Sequence, residues 1–243
     1  MVSAAEAERL RQAQAGIRSL VERDLRAYLS TLDLSNPQIV RSRLLKFVPE
    51  LVDTYGESAA AVAQDWYDTV RESYGLPSHF RAVVPGKGFW ERQAVQVERT
   101  VHRAAEHVFT GDAAALETAL SGPVGKYVQQ AGRETIIQSS FADPQASGWR
   151  RVTRGETCGF CRMLAGRGAV YMRETAHFAS HTRCDCGAVP SWDENAPEVD
   201  VDLYKASERM DAMRKNAAAG SEYAMEELAK HRALIDRAIN EYT

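Results

Sequence analysis

Cys158-Gly-Phe-Cys161 and, farther along, His181-Thr-Arg-Cys184-Asp-Cys186 hold every cysteine of the chain. Two thiols separated by two residues can meet one ion from a tight turn. A returning segment then supplies the rest of a tetrahedron. Five side chains compete for four positions: Cys158, Cys161, His181, Cys184 and Cys186. On a strand, Cys184 and Cys186 would share a face, so both could ligate with His181 behind them. Alternatively His181 ligates and one of the two cysteines packs. Sulfur-rich tetrahedral sites suit zinc. Three or four thiolates leave no open position, so the expected zinc is structural, a single ion, and not catalytic.

Outward from this knuckle the texture changes on both sides. Trp149-Arg-Arg-Val152 reads as a strand entering it, Ala169 to Tyr171 as a second and Cys184 to Val189 as a third. Pro190 to Pro197 reads as a linker rich in turn residues. Upstream, apolar residues recur every three or four positions, the period of amphipathic helices. Leu10, Ala13, Ile17, Val21, Leu25, Tyr28 and Leu32 share one face, with Ser3 and Glu6 spaced as a capping box. Asn36-Pro37 starts a second helix, which Pro49 should break or kink near Val48. It resumes through Leu51, Tyr55, Val62, Trp66, Val70 and Tyr74. Trp90, Ala94, Val97, Val101, Ala104 and Val108 line a further helix ended by Gly111-Asp112. Two more are expected, from Ala113 to Leu120 and from Val124 to Ser139, the last ended by Asp143-Pro144. Residues 200–242 read as helical with a break at Gly220-Ser221.

The expected fold class is therefore α+β: a mostly helical N-terminal region (1–146), a small zinc-centred α+β module (147–197) and a helical C-terminal tail (198–243). The chain has 243 residues, 44% of them hydrophobic and 26% charged, with a net charge of −3, enough to bury a core without staples. A global basic field for nucleic acid or membranes is absent. No run approaches the roughly 18 apolar residues of a membrane span, and the polar N-terminus lacks a signal-peptide core. A protein made and kept in a cytosol is expected, where thiols meet metals more readily than they form disulfides. Arg150, Arg151, Arg154 and Arg167 concentrate positive charge in the module, as a solvated face or as contacts to an acidic partner or DNA phosphates.

The run from Trp149 through Cys158-Gly-Phe-Cys161-Arg-Met-Leu164-Ala-Gly-Arg167-Gly168-Ala-Val170-Tyr171 resembles the metal knuckle of phage minor head proteins of the Mu F-like type. His181-Thr-Arg-Cys184-Asp-Cys186-Gly-Ala-Val189-Pro190 is similar to that family's closing segment. The resemblance covers Trp149 to Trp192. It implies a minor capsid protein of a tailed-phage virion, made in the host cytoplasm. Its partners would be the portal and the major capsid protein during head morphogenesis, with packaged DNA a further contact. No membrane or small-molecule substrate is expected.

Similar actinobacteriophage proteins are labelled capsid maturation proteases, which is the alternative the resemblance carries. The residues add little to it. None of the six histidines sits in a nucleophile motif, His-Glu-x-x-His is missing, and the cysteines are engaged by the metal reading. A His-Asn-His nuclease would need a histidine pair, and after Cys186 only His231 remains. The residues favour interaction over turnover.

Overall fold

The computed structural model describes residues 2–76, 79–153, 161, 165, 171, 178, 180, 182, 186–193, 195 and 213–230. Five helices come first: α1 (Ala4–Leu29), α2 (Pro37–Ser73), α3 (Lys87–Ala104), α4 (Glu106–Phe109) and α5 (Ala113–Ala142). Two short strands follow, β1 (Gly148–Val152) and β2 (Gly187–Ser191). The described architecture is mostly helical with one small antiparallel sheet, an α+β arrangement.

Helix α1 begins as its first residues dictate. The Ser3 N–H donates to Glu6 Oε2 at 2.8 Å and the Glu6 N–H to Ser3 Oγ at 3.2 Å, closing the capping box. Asp112 caps α5 in the same manner, accepting from the Ala115 N–H at 2.9 Å. Helix α5 runs through the middle of the molecule, against α1, α2, α3 and both strands. Its fourteen buried positions cover most of the helix circumference in its second half, polar Gln129, Arg133, Thr135, Ser139 and Ser140 among them, and leave one stripe through Lys126, Gln130 and Glu134 partly exposed. The larger core joins Val21 and Leu25 of α1, Val40, Leu44, Val48 and Val52 of α2, Val97 and Val101 of α3, and Leu116, Leu120 and Val124 of α5.

Three expectations need correction. Of the break or kink expected at Pro49, the break is absent: α2 runs through it, 37 residues in all. Pro123 likewise lies inside α5, so the two expected helices are one. Each proline forfeits one backbone hydrogen bond, and packing on both sides offsets the loss. In the second half of α2 the buried face is Gly56, Ala59, Ala60, Ala63 and Tyr67, rather than Val62 and Trp66. Helix α5 comes close there, and small residues admit it. Helix α3 shows a similar one-residue offset, burying Phe89 and Gln93 in place of Trp90 and Ala94.

In the sheet, Trp149 pairs with Pro190 and Arg151 with Ala188. The Trp149 N–H and C=O both turn away, to Tyr171, at 3.2 and 2.7 Å. Pro190 thus faces a non-hydrogen-bonded position, where a missing N–H breaks no rung of the ladder. The expected linker starting at Pro190 is strand up to Ser191. Beyond the sheet, residues 213–218 and 222–230 are helical, separated at Gly220 with φ of +91°. That is the expected break, at a residue free to adopt left-handed backbone. The expected short helix at 162–166 apart from Ala165, the strand at 169–171 apart from Tyr171, and most of the tail lie outside the described residues.

Candidate functional site

Strand β1 carries Arg151 inward. Its side chain is 2% exposed, and Nη1 donates to Cys186 Sγ at 3.0 Å, with Cys161 Sγ at 3.7 Å. The two cysteines, 25 positions apart in sequence, are themselves 3.7 Å apart and both 1% exposed. That separation is far beyond a disulfide bond of about 2.05 Å. It matches the edge of a sulfur tetrahedron around an ion with metal–sulfur bonds of about 2.3 Å, an edge of about 3.8 Å.

Aromatic rings and a second cation complete the surroundings. Trp149 stacks on Tyr171 with centroids 4.2 Å apart, and Phe178 leans on Trp149 at 5.6 Å. The Arg151 guanidinium lies 3.9 Å from the Phe178 ring centroid and that of Arg133 lies 5.1 Å from it. Arg133 projects from α5, 6% exposed. Its Nε donates to the Cys186 carbonyl at 3.0 Å and its Nη1 to Ser180 Oγ at 3.1 Å. The closing segment is therefore tied to the helical body by a helix side chain. An N–H donor on sulfur is the usual partner of a metal-bound thiolate, and a cation beside sulfur favours its anionic form.

Of the five expected ligands, the structure brings Cys161 and Cys186 together; Cys158, His181 and Cys184 lie outside the described residues. Among the described residues no group of three or more His, Cys, Asp or Glu is placed to hold a metal ion. Of the arginines read as outward contacts, Arg154 and Arg167 also lie outside them. Arg151 is corrected: it is buried on the sulfurs, where Nη1 donates to Cys186 and the guanidinium stacks on Phe178. Arg150 is half-buried, and its Nη2 donates to the Val2 carbonyl at 2.6 Å, holding the N-terminus on β1.

A second buried constellation escaped the sequence reading. Arg71 of α2 meets Asp143 at the end of α5, Nε to Oδ2 at 2.9 Å and Nη2 to Oδ1 at 3.2 Å, with side chains 3% and 0% exposed. The Tyr67 hydroxyl and Trp192 Nε1 also donate to Oδ2, at 3.2 and 3.1 Å. Burial pushes the Asp143 carboxyl up. Hydrogen bonds from Arg71, the Gln145 N–H and Trp192 outweigh it and leave the group below its ordinary value. The pairing of Asp143 with Pro144 signals a helix end; nothing in the local pattern points to Arg71, 72 positions away.

Fold and site together define a helical protein whose long helices carry a small two-stranded cap closed over paired cysteines. The chain belongs to the VG15 protein family, whose model matches residues 1–213. It is 30% identical to the Gene 15 protein of Mycobacterium phage D29 over 198 residues, 64% of this chain and 68% of that protein. It is thus a member of a phage protein family. No solved structure matches it. No helix among the described residues is long and apolar enough to cross a membrane.

Proposed function

We propose that this chain is a minor capsid protein of a tailed phage, similar to the Mu F-like head proteins, whose cysteine knuckle is closed by one structural zinc. Its work is interaction with the portal and the major capsid protein during head assembly. The observation that carries the reading is the approach of Cys161 and Cys186 to 3.7 Å with an Arg151 N–H directed at both. Zinc would be held by those two sulfurs with Cys158 and Cys184, or with His181 in place of Cys184. The ion would supply folding energy to the cap and no chemistry. A zinc ion with four thiolates is doubly negative, and the buried Arg151 and Arg133 supply the compensating charge. The phage relative supports the setting.

The test has two parts. Elemental analysis of the purified chain should give one zinc per molecule, and Cys161→Ser and Cys186→Ser should each remove most of it. Full zinc in both variants would end the metal assignment. Mass spectrometry of mature particles should find this chain in the virion. Co-expression with the coat protein should leave the coat protein at full mass. Specific coat-protein cleavage that disappears on replacing a single serine or histidine of this chain would establish the maturation protease instead.

A further inference from the structure

Between α3 and α5, beside Phe178 and Ser180 of the cap, lies an open groove. Helix α3 contributes Arg92, Gln93 and Gln96 to its wall. Helix α5 contributes Lys126, Gln130 and Glu134, spaced four apart on one stripe. Tyr127 fastens the two helices together, its hydroxyl 2.9 Å from Thr100 Oγ1 and 3.3 Å from the Gln96 carbonyl. The groove therefore has a fixed width.

Its polar groups are unevenly satisfied. Glu134 accepts from Gln138 at 2.9 Å. Lys126 and Arg92 line the wall and enter no hydrogen bond or ion pair with any described residue. Lys126 is half-buried, and burial first, with Arg133 second, pulls its ammonium below the ordinary lysine value. A cation held out of water with no carboxylate beside it is costly unless something else supplies the charge. Gln93 is 4% exposed, and its buried Nε2 meets no acceptor. Among the described residues, the half-buried Lys126 and the exposed Arg92 thus line one groove with no carboxylate paired to either.

We infer that this groove binds an acidic polypeptide segment, one carboxylate seated on Lys126 and Arg92 and the peptide backbone hydrogen-bonded to the Gln96 and Gln130 amides. The row of side-chain amides suits a peptide backbone, which offers alternating donors and acceptors. Glu134 in the same wall repels a continuous polyanion, and with a net charge of −3 the chain offers no wider basic track, so a nucleic acid is the poorer occupant. The site stands apart from the metal reading and from the assembly reading, and uses neither.

Fluorescence anisotropy with the full chain decides it. The probe is a short fluorescein-labelled peptide alternating glutamate with glycine, set against its lysine counterpart and an oligothymidylate. The glutamate peptide should bind, more weakly as salt rises. Lys126→Gln and Arg92→Gln should each weaken it about tenfold, the loss of one charge-assisted contact. Arg99→Gln, on the same helix outside the groove, should leave it unchanged. Arg92 is exposed, so its replacement leaves folding intact even if that of Lys126 does not. Absence of glutamate-peptide binding, equal binding by Arg92→Gln, or tighter binding of the lysine peptide would overturn the inference. Displacement of the glutamate peptide by lower concentrations of oligothymidylate would overturn it too, in favour of a phosphate site.

Discussion

Asp143 stands where α5 stops and is held by four partners from three parts of the chain: Arg71, Tyr67, Trp192 and the Gln145 backbone. Removing its charge takes the carboxylate away from the buried Arg71. Asp143→Asn should therefore destabilise the fold by about 3–5 kcal/mol, measured by urea unfolding. The same pairing predicts a pH dependence. Because the folded carboxyl lies below its ordinary value, the unfolded chain binds more protons between the two values. The contribution is complete above about pH 4 and drains away as pH falls through the folded value. As pH falls below the ordinary carboxyl value of about 4, the parent chain should lose more stability than Asp143→Asn. Equal losses would show that other groups govern the acid limb. Arg151 carries a similar lesson in a different setting. Its neighbours in sequence suggested a charged outer face, whereas alternation along β1 sends it inward onto the two sulfurs.

At the scale of elements, close approach is what the local pattern conceals. A Cβ on Gly56 would lie 3.1 Å from the Trp90 ring and 3.7 Å from the Ala131 Cβ. That ring cannot retreat easily, because Trp90 Nε1 donates to the Pro85 carbonyl at 3.0 Å. Gly56→Val should cost about 1–3 kcal/mol through overpacking, with a shift in Trp90 emission accompanying a lower urea midpoint. A variant as stable as the parent would mean that α2 and α3 separate without cost. The capping box of α1 and the break at Gly220 were readable in advance, since each depends on a few adjacent residues. The passage of two helices through Pro49 and Pro123 was not, because neighbouring helices outweigh the lost backbone bond there.

Across the whole molecule, one apolar cluster runs from the helices into the cap. Leu10, Ala63, Tyr67 and Ile136 pack with Trp149, Cys161, Tyr171, Phe178, Cys186 and Ala188. The helical body has its own, larger cluster. The proposed zinc should accordingly matter locally. Dialysis against a chelator should expose Trp149 to solvent quenchers and loosen amide protection in β1 and β2, while the far-UV helical signal changes little. Collective loss of helix on chelation would show that the cap holds up the body.

Helical periods, caps and the cysteine spacing belong to short stretches of chain, and local backbone geometry follows from neighbours a few positions away. Hence the helical character of the first half, the strand at Trp149 and the pairing of the two cysteine segments could all be anticipated. Long-range choices required the folded chain: which helix face turns inward, why small residues line α2, the clasp between Arg71 and Asp143, and the two arginines gathered on Phe178 and Cys186. Each of these depends on which distant surfaces come within van der Waals reach. No local pattern encodes that distance; it emerges when several helices compete to bury the same apolar surface.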